Sequence, residues 1–155
     1  WDYHGSDADD TIDQQQLNLP AGSAIFGGRG NDTITFRDAN ADGGAGNDTF
    51  ISNGAYGAVV FWTSPAGVIV DLAKGTAQDG FGGIDTLVGV RNIHATGHDD
   101  QLTGSADDNW FLGLGGNDTF IGGGGTDHVG YLDAALGQAT ISYDAATDTF
   151  TVVKN

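Results

Sequence analysis

A nine-residue period runs through this chain and limits what it can fold into. Four consecutive units, ATGHDDQLT (95–103), GSADDNWFL (104–112), GLGGNDTFI (113–121) and GGGGTDHVG (122–130), carry Asp100, Asn109, Asp118 and Asp127 at their sixth position. Their eighth positions are Leu102, Phe111, Phe120 and Val129. Four more units lie upstream: GSDADDTID (5–13), GGRGNDTIT (27–35), GGAGNDTFI (43–51) and GFGGIDTLV (80–88). These place Asp10, Asp32, Asp48 and Asp85 at the sixth position, and Ile12, Ile34, Phe50 and Leu87 at the eighth. Six residues rich in Gly and Asp make a turn, and three make a short strand whose middle side chain points inward. Glycine supplies the positive φ and the close backbone approach that such turns need. One inward apolar side chain per unit makes only a thin interior, so the turns must be held by something else.

Composition narrows what that is. All 21 acidic residues are aspartate, and against five Lys and Arg they leave a net charge of −16. A chain acidic only for solubility would also use Glu, the better helix former; Asp alone suits tight turns. The charge excludes nucleic acid, whose phosphates need a basic face. It also disfavours anionic membrane surfaces, and no apolar run is long enough to span a bilayer, so no membrane insertion is expected. Self-repulsion on this scale calls for multivalent cations or leaves a chain disordered. The 39% of apolar residues, evenly spaced, argue against wholesale disorder. Without cysteine there are no disulfides and no thiolate metal sites, so a metal held by other ligands is the expected staple.

The units resemble the G-G-x-G-x-D-x-U-x nonapeptide of RTX proteins, a calcium-binding parallel β-roll repeat. GGRGNDTIT and GGAGNDTFI are near-perfect copies, and the likeness covers roughly residues 5–130. The run DTLVGVRNIHATGHDDQLTGSADDNWFLGLGGND is also similar to a longer pattern of that family, in which a degenerate half-turn precedes regular repeats. The resemblance implies an all-β fold: a right-handed parallel β-roll, or β-helix, with two units per coil and flanking antiparallel strands or hairpins. Turns eighteen residues apart would stack, with several Ca²⁺ ions between them. Exposed glycine carbonyls and Asp carboxylates would form an all-oxygen cage at about 2.3–2.6 Å.

On this scheme the rim ligands are, in chain order, Gly5, Asp7 and Asp10, then Gly28, Gly30 and Asp32, then Gly44, Gly46 and Asp48. Gly83 and Asp85, Gly97 and Asp100, Asn109, Gly116 and Asp118, and finally Gly123, Gly125 and Asp127 complete the set. Asp100 and Asp118 should flank one ion, and Asn109 and Asp127 a weaker site on the opposite rim. Residues 36–42 and 89–94 read as shortened half-coils and 14–26 as a longer one. That reading aligns Asp10 with Asp32, Asp32 with Asp48, and Asp85 with Asp100.

We expect a single domain over 1–155, with a first repeat block (5–51), a β-hairpin insertion (57–79), a second block (80–130) and a C-terminal hairpin (131–155). In the insertion, VVFW and VIVDL flank a Ser-Pro-Ala-Gly turn. In the tail, ATISYDAATDTFTVV has two alternating runs around Ala-Ala-Thr-Asp. Both are expected to cap the roll or cover one of its faces.

Other residues are candidates for separate chemistry. Asp38, Asn40 and Asp42 fit the opening of an EF-hand-like loop, although Thr49 stands where its Glu belongs. They read either as an additional loop-type calcium site or as a solvated turn. His94 and His98 have zinc spacing for a helix, but Gly97 and the repeat argue for a structural or surface role. Trp110 sits at an outward seventh position, Leu112 shares its face, and His128 should lie beside it one coil later. That face reads as a platform for a sugar, or as one covered by a neighbouring strand or domain.

No H-E-x-x-H, G-x-S-x-G or Walker lysine occurs. Carboxylates recurring at one phase are explained by the repeat rather than by a glycosidase pair. We therefore expect a calcium-binding module without catalysis of its own, folding outside the cell where calcium is plentiful. The chain starts at Trp1, which points to a piece of something longer. The resemblance implies type I secretion from a Gram-negative bacterium, a secreted or cell-surface location, and a parent such as a toxin, adhesin, protease, lipase or polysaccharide epimerase. The alternative is a calcium-dependent recognition module that binds polysaccharide, another protein domain or a cell-surface partner.

Overall fold

The computed structural model describes residues 1–131, 139–144 and 149–154. Among them there is no helix. Each coil places one short strand in each of two sheets. The first sheet runs β1 (Asp2–His4), β3 (Ala24–Arg29), β5 (Asn40–Ala45), β7 (Ala58–Val60), β11 (Asn92–His94), β13 (Trp110–Leu112), β15 (His128–Gly130), all parallel. The second runs β2 (Thr11–Asp13), β4 (Thr33–Phe36), β6 (Thr49–Ser52), β10 (Ile84–Val88), β9 (Thr76–Gln78), β8 (Ile69–Asp71), β12 (Gln101–Thr103), β14 (Asp118–Ile121). It ends on β17 (Thr149–Lys154) and β16 (Ala139–Asp144). The chain is thus a parallel β-roll, as its period predicts.

Register explains the interior. Ile12 pairs with Ile34, Ile34 with Phe50, and Phe50 with Leu87, so eighth-position side chains stack directly along the second sheet. Leu102 and Phe120 continue that line. The facing line is Ile25, Ala41, Val59, Ile93 and Phe111, all fully buried. Most of it comes from strands outside the eight units, so the core is a double layer rather than the thin line expected from the nonapeptide alone. Strands alternate between faces, and each middle residue therefore goes inside while its neighbours face out.

The insertion departs from expectation. VVFW and VIVDL do not pair with each other: β7 lies between β5 and β11 in the first sheet, whereas β8 lies beside β12 in the second. The hairpin within 57–79 is β8–β9 instead, and β9 also runs antiparallel to β10. The reason is burial. Val59 completes the inward line between Ala41 and Ile93, so β7 is a strand of the roll itself. In consequence the second sheet holds three strands, β8 to β10, where the first holds only β7.

In the tail, β16 and β17 form the expected antiparallel pair. The Ala-Ala-Thr-Asp turn between them lies outside the described residues. β17 also pairs antiparallel with β14, from Asp118 opposite Val152 to Ile121 opposite Thr149, and so covers a strand edge that would otherwise be open.

Phe50 is fully buried and Val88 is half exposed at the end of β10. Phe50→Ala should cost about 3–5 kcal/mol and Val88→Ala less than about 0.5 kcal/mol in urea unfolding at saturating calcium. Equal losses would contradict the inward line.

Candidate metal centre

The rims are built by the Gly-rich turns. In GGRGND, Gly28 (φ 113°) and Gly30 (φ 104°) lie in the left-handed region that favours glycine. The same two positions of the next turn are glycine for a second reason. A β-carbon at Gly44 would strike the carbonyl oxygen of Gly28, and one at Gly46 that of Gly30. Successive turns therefore stack backbone on backbone, with carbonyl oxygens along the seam. Leu114 adopts the same left-handed conformation (φ 64°) at its unit's second position, so the stacking imposes the turn even on a residue that resists it.

Two hydrogen-bond ladders fix the stack. In the first, each sixth-position carboxylate accepts from the backbone of the preceding coil. Asp10 N–H donates to Asp32 Oδ1 (2.8 Å), Asp32 N–H to Asp48 Oδ1 (2.8 Å), and Asp48 N–H to Asp85 Oδ1 (2.9 Å). Further along, Asp100 N–H donates to Asp118 Oδ1 (2.9 Å), and on the opposite rim Asn109 N–H donates to Asp127 Oδ1 (2.9 Å).

One expected pair is absent. Asp85 and Asp100 do not meet, because β9 and β8 intervene, and Asp100 Oδ1 instead accepts from Val68 N–H (2.8 Å).

The second ladder runs the other way and involves the fifth position. Asp9 accepts from Asn31 N–H (2.8 Å), Asn31 from Asn47 N–H (2.9 Å), and Asn47 from Ile84 N–H (2.8 Å). Asp99 and Asp108 accept likewise from Asn117 (2.8 Å) and Thr126 (2.7 Å). Attention to the sixth position alone overlooked this ladder. Its signal was the run of short amide and carboxylate side chains at Asp9, Asn31, Asn47, Asp99, Asp108 and Asn117.

The decisive feature is what the first ladder leaves unmet. Asp32, Asp48 and Asp118 are at most 1% exposed, and the Oδ2 of each is buried with no hydrogen-bond donor. Where a unit has Ser or Thr at its second position, the need is met internally. Ser6 donates through N–H (2.6 Å) and Oγ (2.9 Å) to Asp10 Oδ2. Thr96 donates to both oxygens of Asp100, and Ser105 N–H donates to Asn109 Oδ1 (2.8 Å). Where the second position is Gly28, Gly44 or Leu114, the oxygen stays bare.

A buried anionic oxygen without a donor costs several kcal/mol unless it gains a proton or a cation. Burial accordingly pushes Asp48 up to about 6, Asp118 to about 7 and Asp85 to about 8, with the neighbouring carboxylates adding to the rise. Burial also raises Asp32 and Asp100. An oxygen-only environment of carboxylates and carbonyls fits a hard divalent cation, above all Ca²⁺. Among the described residues no three His, Asp or Glu side chains converge as a ready cage, so a cation held here would draw on backbone carbonyls as well as carboxylates.

The remaining rim residues divide. A β-carbon at Gly5 would meet the Gly27 carbonyl and Asp10 Oδ2, one at Gly83 the Gly46 carbonyl, one at Gly116 the His98 carbonyl, and one at Gly123 the Ser105 carbonyl. Gly125 lies against Asp107 and Asp108. Asp7 is exposed and paired with Arg29 (3.6 Å), and Gly97 faces open space; neither points into the stack.

The EF-hand-like loop does not form, because Asn40–Ala45 is strand β5. Asp38 accepts from Gln14 Nε2 (2.6 Å), whereas Asp42 accepts from Thr63 N–H (3.1 Å), Thr63 Oγ1 (2.9 Å) and Gly44 N–H (3.1 Å). An extended backbone thus carries Asp38 and Asp42 to separate partners.

On the outer face of the first sheet, Trp110 stands opposite His128 in register, with ring centroids 5.4 Å apart. Leu112 lies opposite Gly130, half-buried. His94 packs at a tilt against Trp62 (ring centroids 5.9 Å, 35° between planes) rather than joining His98. A cleft of about 340 Å³ lies between Tyr56, Asn92, His94 and Trp110.

The family profile of the RTX calcium-binding nonapeptide repeat matches four copies in this chain, over residues 24–55 and 94–129. Comparison with curated proteins returned no similar sequence. Asp32, Asp48, Asp100 and Asp118 lie inside the matched repeats, whereas Asp10 and Asp85 lie outside them.

The raised acidities set a pH dependence. Without calcium the folded chain binds more protons than the unfolded one between about pH 4 and pH 8, so its stability is greatest near pH 4 and falls as pH rises through 6 to 8. Calcium needs the ionised carboxylates, so its affinity rises over the same interval. Thermal melts should therefore give a higher Tm at about pH 5 than at pH 8 in calcium-free buffer, and a larger calcium-induced gain at pH 8. A calcium gain that does not change with pH would refute the assignment.

Proposed function

We propose that this chain, a member of the RTX calcium-binding nonapeptide repeat family, serves a larger secreted protein as a segment that completes its folding on calcium outside the cell. The observation that carries the reading is the set of donorless buried oxygens on Asp32, Asp48 and Asp118. A ligand that binds only the folded state contributes RT ln(1 + [L]/Kd), roughly 1.4 kcal/mol per site at ten times Kd. Three such sites contribute about 4 kcal/mol, close to the whole stability of a small domain. Extracellular calcium modules bind at about 10⁻⁴–10⁻³ M, a level that low-calcium cytosol does not reach. An open chain inside and a closed roll outside suit passage through a type I secretion channel. On this reading the carboxylates serve the fold, and any catalysis or toxicity belongs to the rest of the parent.

Calcium titration followed by circular dichroism tests the reading. Asp48→Asn keeps the Oδ1 acceptor of its ladder but loses the charge, and should forfeit about 1.4 kcal/mol of calcium-dependent stability. Asp100→Asn should lose less, because Thr96 already satisfies that carboxylate. Identical β-structure in strong chelator and in millimolar calcium would remove the basis for the proposal.

A second reading rests on the outer face. The exposed rings of Trp62, Trp110 and Tyr56 beside Asn92 and His94 offer stacking surface with polar groups at its edge, as a polysaccharide requires. Glycan binding that disappears in Trp110→Ala, with calcium-dependent folding intact, is the result expected on that reading.

A further inference from the structure

The repeat match pauses after residue 55 and resumes at 94, yet a carboxylate between those limits has the same unmet need as the rims. Asp79 directly follows β9 and is 1% exposed. Its Oδ1 accepts three backbone N–H groups, from Phe81 (2.9 Å), Gly82 (2.9 Å) and Gly83 (2.8 Å), and so shapes the turn into β10. Its Oδ2 is buried and has no donor.

Two features show where that oxygen points. A β-carbon at Gly83 would strike both Asp79 Oδ2 and the carbonyl oxygen of Gly46, so the two oxygens lie against the same small residue from different coils. The pairing of Ile84 with Gln78 and of Asp85 with Ala77 then puts Asp79 and Asp85 on the same inward face of the β9–β10 pair. Asp85 in turn accepts from Asp48 N–H, and Asp48 Oδ2 is itself donorless. Both Asp48 and Asp85 feel the charge of Asp79. The ion pairs among the described residues, Arg29–Asp7, Lys74–Asp71 and Arg91–Asp107, all lie elsewhere.

We propose that Asp79 Oδ2 and the Gly46 carbonyl hold a calcium ion at the seam between the first repeat block and the β8–β10 meander, with Asp48 and Asp85 supplying flanking charge. In the regular stack each turn is followed by another whose carboxylate faces it. Beyond Asp85 that turn is missing, because the neighbouring strand is antiparallel β9. Asp79 enters from the opposite direction and stands in its place. The ion ties the meander to the repeats and closes the interrupted end of the Asp10–Asp32–Asp48–Asp85 ladder. Oxygen ligands with neither imidazole nor thiolate select a hard cation over zinc.

The proposal rests on the calcium reading of the rims, and its test separates the two. Crystals of the full chain grown with Tb³⁺ in place of calcium should show an anomalous peak about 2.3–2.6 Å from Asp79 Oδ2. Peaks beside Asp32 and Asp118 with none at Asp79 overturn the seam site alone; no peak anywhere overturns the calcium reading as well. In solution, Asp79→Asn retains the acceptor for the three N–H groups while losing the charge. Calorimetric titration should find one equivalent of calcium fewer than in the unaltered chain, with the same circular dichroism at saturation. Unchanged stoichiometry and affinity would exclude the site, and should the variant not fold, the anomalous map of the unaltered chain decides.

Discussion

Carboxylates shut between stacked backbones, with one oxygen hydrogen-bonded and the other bare, govern the rest of this structure. The bonded oxygen sets register: a coil displaced by one residue would lose the N–H that Asp32 takes from Asp10 and that Asp48 takes from Asp32. The bare oxygen makes the arrangement conditional. Repulsion between neighbouring carboxylates adds to the cost of removing them from water, and only a proton or a metal ion relieves both. On the proposed calcium reading, the ion acts on the same carboxylates that define the coil spacing.

Ions do not replace the interior of this roll. Ile25, Val59 and Ile93 face Ile34, Phe50 and Leu102 across two sheets and form a continuous apolar layer. The chain divides its labour by position: strand middles supply water-excluded contact, while turns supply geometry and charge. Neither suffices alone. A layer one side chain deep per strand offers limited hydrophobic stabilisation, and stacked acidic turns repel one another without cations. Ser6 and Thr96 show a third device, in which a hydroxyl in place of the second glycine caps the rim carboxylate internally. Turns of the two kinds alternate irregularly, so the donorless oxygens are concentrated at particular coils instead of spread evenly.

The meander breaks the symmetry. By adding β8 and β9 to only one sheet, it ends one ladder at Asp85 and starts another at Asp100. In the first sheet, the chain between the repeat blocks supplies β7, whose pairing with β11 sets Trp62 near His94 and extends the aromatic surface that Trp110 and His128 begin. Interruption of the repeat thus creates the two least repetitive features of the molecule, a buried seam and an outer aromatic face.

Much of this was legible in the residues themselves. A period of nine specifies turn and strand lengths, and the alternation of faces then decides which side chain goes in; the parallel roll, the stacking of Asp32 on Asp48 and of Asp100 on Asp118, and the outward Trp110 follow from local rules alone. Pairing over long distances does not. Whether VVFW joins VIVDL or the line of Ala41 and Ile93 depends on which partner buries Val59, and no short stretch carries that information. The same holds for Asp79, which looks like any turn aspartate until β9 folds back and seals one of its oxygens against Gly46 and Gly83. Local sequence determined the coil; the competition among strands for burial, settled only in three dimensions, decided where its ladders end.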